Sequence, residues 1–104
     1  MINKKELDSI IEYLKNTTTV ECNPYPVYTE EICSALEMLK PDKNYLAHHE
    51  KLDGKAIEDM NRSEIATMLT FIQRGERFCD GHIASYVESG ELLRLMLRLR
   101  ELEE

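Results

Sequence analysis

The sequence contains few of the residues that cross-link, bend or anchor a chain. It has no tryptophan, four glycines, three prolines and three cysteines among 104 residues. No apolar run approaches the ~18 residues of a membrane-spanning helix, and the first 25 residues lack the apolar core of a secretory signal. The unclustered cysteines Cys22, Cys33 and Cys79 do not make a disulfide framework. These absences predict a reduced, cytoplasmic protein without a membrane segment.

Positive charge is also scarce. The chain has 13 basic and 20 acidic residues, which gives a net charge of −7. Binding to nucleic acid or to an anionic membrane depends on lysine and arginine, so we expect neither, whereas a basic partner suits this charge. All six arginines lie between Arg62 and Arg100. This segregation either predicts specific ion pairs in the C-terminal half or reflects chance in a short chain.

Hydrophobic periodicity predicts an all-α fold, a compact bundle of five or six short helices in a single domain over 1–104. The first helix is expected over 4–15 and the second between Thr29 and Pro41. Later helices are expected over 43–52, from Ser63 to Gly75, and over 81–88 and 91–102. A β-branched run could form a short strand at 18–21, followed by a proline-rich loop.

Short polar residues and glycines mark the expected helix ends. The expected N-caps are Asn3, Thr29, Asp42, Ser63 and Asp80. Gly75 is expected to end the fourth helix in a left-handed conformation, Gly54 to form a turn after Asp53, and Gly90 to end the fifth helix.

Apolar residues at helical spacing define the expected core. Its members are Leu7, Ile11, Leu14, Ile32, Leu36, Leu39, Ile65, Met68, Leu69, Ile72, Phe78, Ile83, Val87, Leu92, Leu95, Met96 and Leu99. Ile57 and Met60 are also expected to face inward, and Cys33 is expected to act as a small core residue. If the Phe78 ring is buried, the Phe78→Ala substitution should cost about 3–5 kcal/mol. The leucines of the last helix surround much of it, which predicts a central helix or one that also meets a partner.

The last third of the chain carries a dense block of special residues, Arg74-Gly75-Glu76-Arg77-Phe78-Cys79-Asp80-Gly81. With Gly90 and the leucines that follow it, this block resembles a motif of an uncharacterised domain family of small bacterial, archaeal and phage proteins. Pro26 and Tyr28 resemble that family's Pro-x-Tyr stretch, so the likeness covers about 24–100. The family has no assigned activity, and the resemblance therefore implies a shape and no mechanism.

The block has two interpretations. In the structural one, Gly75, Phe78, Gly81 and Gly90 shape a corner between helices. Arg74 or Arg77 would then bridge to Glu76 or Asp80. In the functional one, a set of polar side chains lines a pocket or a partner surface. That set comprises Arg74, Glu76, Arg77, Asp80 and His82.

Other chemistry is only weakly indicated. Cys79 and His82 have the spacing of a metal-ligand pair that His48 and His49 might complete, but one such pair is poor support for a zinc site. Cys79 could act as a nucleophile, yet no oxyanion site or orienting group accompanies it. A DNA-reading helix would need basic residues that the helix after the block lacks. The sequence therefore suggests no catalytic residue, no metal and no cofactor.

Four tyrosines could converge on one polar aromatic patch, or they could be scattered through the packing. They are Tyr25, Tyr28, Tyr45 and Tyr86. Small size, acidic charge and the leucine-rich last helix favour a non-enzymatic module that binds another protein or itself. The alternative is a small-ligand or metal-binding domain, conceivably an enzyme, that uses the 74–82 block.

Overall fold

The computed structural model describes residues 2–17, 19–21 and 26–103. Over these residues the chain forms six α-helices and one 3-10 helix, which confirms the all-α prediction. The helices are α1 (Lys4–Lys15), α2 (Glu30–Leu36), α3 (Tyr45–Lys51), a 3-10 helix (Ile57–Asp59), α4 (Arg62–Gly75), α5 (His82–Glu88) and α6 (Glu91–Leu102). Residues 19–21 form no strand. Thr18, Cys22 and Tyr25 lie outside the described residues.

Helix α6 is central to the packing. It contacts α1, α4, α5 and the 3-10 helix. Its inner face, Leu92, Leu95, Met96 and Leu99, is completely buried, as a central helix requires. The longest helix, α4, has 14 residues, and no helix formed by the described residues is both long enough and apolar enough to cross a membrane.

The predicted core is buried apart from two residues. Leu39 is partly buried against the core, and the Phe78 ring is 80% exposed, so the placement of Phe78 in the core was wrong. Cys33 is also exposed rather than buried, because α2 turns Ile32, Ala35 and Leu36 inward instead.

Further buried residues complete the core beyond the predicted set. Ile57 and Met60 face inward as expected, and they are joined by Ile2, Ile10, Ala35 and Leu52.

Three predicted helix caps can be compared directly with the structure. The Asn3 side chain accepts from Lys5 N and Glu6 N, and Thr29 Oγ1 accepts from Ile32 N, which confirms both caps. Ser63 does not cap α4, because that helix begins one residue earlier, at Arg62. Its cap is Asn61, whose side chain accepts from Glu64 N while the Glu64 carboxylate accepts from Asn61 N, each at 2.9 Å.

Asp42 was expected to cap α3 but instead connects α3 to α4. The N-cap position belongs to Asn44, whose backbone N–H donates to Asp42 Oδ1 at 2.9 Å. Asp42 Oδ2 accepts from Thr67 Oγ1 at 2.6 Å and lies 2.7 Å from His48 Nδ1. These hydrogen bonds from Thr67 and His48 hold the pKa of the Asp42 carboxyl below its usual range.

Four of the arginines are attached to specific acceptors, in line with their expected ion pairing. Arg62 pairs with Glu103, Arg94 with Glu58, and Arg100 with Asp8. Arg98 Nε donates to Met60 O at 2.8 Å. These contacts join residues far apart in sequence, although exposed ion pairs contribute only about 0–1 kcal/mol each.

The exposure of Phe78 predicts a small effect of its removal on stability. We expect Phe78→Ala to change the free energy of unfolding by no more than about 0.5 kcal/mol, because little apolar area is lost from the core. The matched control Leu69→Ala, at a residue that is 1% exposed, should cost about 2–5 kcal/mol. Urea unfolding followed by circular dichroism measures both. A loss of several kcal/mol in Phe78→Ala would contradict the exposed position of the ring.

Candidate functional site

The α4–α5 corner, residues 74–82, contains every residue of the predicted site. Gly75 is still helical and is not in the left-handed conformation, so its expected role as a C-cap was wrong. The left-handed residue of the corner is Gly81, with φ of 91°. Gly75 is needed for a different reason, because a Cβ atom at this position would overlap the His82 ring. Gly90 is left-handed between α5 and α6, with φ of 85°.

The first turn of α5 is capped from a distance. Its N-cap residue, Gly81, has no side chain, and Asp80 is exposed and provides no cap, contrary to expectation. The Glu76 carboxylate instead accepts from Gly81 N at 2.9 Å and from Ile83 N at 2.8 Å. The Tyr28 hydroxyl accepts from Ala84 N at 3.2 Å and donates to Glu76 Oε1 at 2.8 Å. Glu76 and Tyr28 therefore satisfy three backbone donors that a helix start leaves open.

The ionisation of Glu76 follows from these contacts. Burial of its carboxyl opposes the charged form, whereas the N–H groups of Gly81 and Ile83 and the Tyr28 hydroxyl stabilise it. His82 adds a smaller favourable charge interaction. The hydrogen bonds outweigh burial, and they hold the pKa of Glu76 below its usual range. Glu76 is thus an ionised carboxylate whose negative charge is stabilised by hydrogen bonds from within the fold.

A row of rings lies beside the corner and joins α3, α4 and α5. His49 stacks on Phe71 with ring centroids 3.6 Å apart and an angle of 2° between the planes. Phe71 meets Tyr45 and His82 edge to face, and His82 meets Tyr86 in the same way, with centroids 5.2–6.5 Å apart. This ring cluster consists of Tyr45, His49, Phe71, His82 and Tyr86.

His49, within the ring cluster, is poorly placed to carry charge. Burial lowers the pKa of His49, and nearby His82 lowers it further, while Asp53 opposes the shift. His82 Nε2 is buried against Gly75, and no described residue forms a hydrogen bond with it. Both histidines contribute to the cluster as packed rings.

The remaining block residues point outward. Arg77, Phe78, Cys79 and Asp80 are all exposed. No described residue forms an ion pair with Arg77 or Asp80, so the predicted bridges to Glu76 or Asp80 do not form among the described residues. Arg74 lies over the Tyr45 ring at 5.9 Å from its centroid.

The predicted metal-ligand pair is not gathered into a metal centre. Along the described ranges, no group of three or more His, Cys, Asp or Glu residues could hold a metal ion. His48 faces Asp42, and His49 stacks on Phe71. The Cys79 thiol donates to the Asp80 carbonyl oxygen at 3.9 Å.

Three of the four tyrosines do converge on this region. Tyr28 bonds to Glu76, while Tyr45 and Tyr86 belong to the ring cluster. Tyr25 lies outside the described residues. The sequence analysis did not identify Phe71, which lies outside the apolar stripe of α4. Nothing in the sequence indicated that its ring contacts His49 and His82.

Comparisons with known proteins place the whole chain in one family. A family model described as a family of unknown function (DUF6508) matches residues 2–104. The match extends well before residue 24, where the likeness was expected to begin. No curated protein and no solved structure matches the chain. These comparisons therefore assign no activity to the α4–α5 corner.

The Glu76 contacts predict a stability loss in Glu76→Gln. A neutral amide weakens the hydrogen bonds from Gly81 and Ile83 and removes the charge that favours them, so we expect a cost of about 1–2 kcal/mol. Glu50→Gln, at an exposed α3 residue, removes the same charge and should be nearly neutral. The difference between wild type and Glu76→Gln should shrink as the pH falls below 4.5 through the lowered pKa of Glu76. Equal melting temperatures for the three proteins at pH 7 would contradict the capping role.

The lowered pKa of His49 predicts a second pH dependence. The unfolded histidine titrates near 6.5 and the folded one lower, so the folded state binds fewer protons in this window. The contribution of His49 to stability should be complete above pH 6.5 and be lost as the pH falls through its folded pKa. His49→Gln should remove that loss, whereas His48→Gln should retain it. Thermal melts from pH 8 to 5 measure this, and equal slopes for wild type and His49→Gln would contradict it.

Proposed function

We propose that this chain, which belongs to the family of unknown function DUF6508, is a non-enzymatic protein-interaction module. The observation that carries the proposal is the 80% exposure of the Phe78 ring at the α4–α5 corner. A large exposed aromatic side chain costs solubility and adds nothing to the core, so its position suits a contact made with a partner. Aromatic and arginine side chains are also those enriched at interface hot spots.

The backbone of the corner is held by contacts within the chain itself and does not need a partner to become ordered. Glu76 and Tyr28 fix the backbone on the far side of Phe78 through three hydrogen bonds of 2.8–3.2 Å. The Tyr28 hydroxyl also donates to the Glu76 carboxylate at 2.8 Å. A side chain presented on a fixed backbone loses less entropy on binding than one on a mobile loop. This supports the corner as a preorganised surface, and we infer that the Arg74–Gly81 block is a shared feature of the family for this reason.

The arginines beside Phe78 support the same assignment. Among the described residues, the four other arginines are attached to carboxylates or a backbone carbonyl. Arg77 is exposed and Arg74 lies over Tyr45, with no ion pair between either of them and a described carboxylate. Their guanidinium groups can therefore donate to a partner without breaking an ion pair within the fold.

The proposal extends to the cellular location. Cys79 on the corner and Cys33 on α2 are free, exposed thiols. Thiols of this kind suit a reducing compartment, so we place the protein in the cytoplasm. The alternative, a small-ligand site within the 74–82 block, has less support, because Glu76 and His82 face the fold and the remaining side chains diverge into solvent.

The interaction surface predicts a selective loss of binding in Phe78→Ala. Proteins retained by the immobilised wild-type chain should bind Phe78→Ala at least about tenfold more weakly, as expected for a hot-spot aromatic residue. Leu102→Ala is the matched control. Leu102 is a partly exposed residue beside Glu103, which pairs with Arg62 at the opposite end of α4 from the corner. Affinities are measured for one identified partner by biolayer interferometry.

The contribution of the positive charge of Arg77 to binding is tested by a matched pair of arginine variants. Arg77→Gln should weaken the same interaction, whereas Arg62→Gln, with an equal change in net charge, should not. Self-association through the corner would appear in analytical ultracentrifugation as a dimer that Phe78→Ala dissociates. Binding or self-association that is unchanged in both Phe78→Ala and Arg77→Gln would contradict the proposal.

A further inference from the structure

A cavity of about 550 Å³ lies at the opposite end of α4 from the α4–α5 corner. Its wall is formed by the residue before α1, the segment after α2 and the first turns of α4. The apolar part of the wall consists of Ile2, Met38, Leu39 and Ala66. Cavities that hold small molecules typically measure about 300–1,000 Å³ and are mostly apolar. In size and lining, this cavity falls within that class.

Among the described residues, the polar part of the wall is entirely cationic or neutral. Lys40 and Arg62 line the cavity, and none of the described carboxylates does. This is unusual in a chain with 20 acidic residues. Each of four other cavities along the described residues has an acidic residue in its wall. Those residues are Glu64 in one, Asp53 and Glu91 in the second, Glu6 and Glu37 in the third, and Glu6, Glu30 and Glu31 in the fourth.

Both cations can still donate to a ligand. Lys40 is exposed, and no described carboxylate forms an ion pair with it. Arg62 uses Nη1 for its contact with Glu103, and its side chain remains 51% exposed. A guanidinium group has five N–H donors, so the contact with Glu103 leaves several of them available.

We propose that this cavity binds a small amphipathic carboxylate, that is, a medium-chain aliphatic acid. Its carboxylate would accept from Lys40 and Arg62, and its chain would lie over Met38, Leu39 and Ala66. The inference is independent of the corner, since α4 separates the two sites by about 20 Å at 1.5 Å per residue.

The test is a titration of the ¹⁵N-labelled full-length protein with sodium decanoate below its micelle concentration. We expect saturable chemical-shift changes at the amides of Ile2, Leu39, Lys40 and Ala66. Decyltrimethylammonium has the same chain with the opposite charge, and acetate has the same charge without the chain. Neither should produce these changes. Equal binding of decyltrimethylammonium, or no saturable change with decanoate, would overturn the proposal.

Two pairs of variants locate the site. Lys40→Glu should weaken decanoate binding about tenfold, whereas Lys43→Glu, with the same charge change outside the cavity wall, should not. Ala66→Leu should fill the cavity and abolish binding, whereas Ala47→Leu on the exposed face of α3 should leave it intact. Leucine is tolerated in helices, so both variants are expected to fold, and circular dichroism verifies this.

Two further outcomes of the titration would overturn the proposal. Decanoate binding that Lys40→Glu and Ala66→Leu do not alter would place the ligand elsewhere and overturn the assignment. Shifts at the same amides that depend on protein concentration without decanoate would mean that a second copy covers the cavity. That result would equally overturn a carboxylate site, and it would leave the proposed function of the corner unaffected.

Discussion

The Glu76 carboxylate is the interaction on which the arrangement of the α4–α5 corner depends. Helix α5 begins at a left-handed glycine that offers no capping side chain. Its open N–H groups are satisfied by Glu76 from the end of α4 and by Tyr28 from the segment before α2. One half-buried, ionised side chain thus joins the end of α4 and the start of α5 to Tyr28, which lies 48 residues before it in the sequence. Without it, the first turn of α5 would expose unpaired donors to a partly buried environment.

This constraint explains why the neighbouring residues divide into two sets. Glu76 and His82 turn toward the fold, where His82 fills the space that the absent side chain of Gly75 leaves and meets Phe71 and Tyr86. Arg77, Phe78 and Asp80 lie between Glu76 and His82 in the sequence. Their side chains are exposed to solvent. The exposure of Phe78 therefore accompanies the inward packing of Glu76 and His82, and the ring is part of the surface.

The two ends of α4 differ in chemistry. The C-terminal end presents an aromatic ring with two arginines, which suits the surface of another protein. The N-terminal end borders an apolar cavity whose wall contains two cations and none of the described carboxylates. The core between them, dominated by the buried face of α6, is continuous, so both ends are built on the same rigid support.

The sequence by itself determined the helices, because hydrophobic periodicity reports which face of each helix is buried. It placed α1 and α6 at their observed bounds and identified nearly all of the core. Only the tertiary structure decided the site. Local rules assigned Asp80 as a cap, Gly75 as a left-handed stop and Phe78 as a core anchor, and the folded corner contradicts each of these assignments. Tyr28 and Glu76 took over the cap, His82 required Gly75 for close packing, and the corner that they form left no space inside for Phe78. Such contacts between distant residues leave no periodic signal in a single sequence.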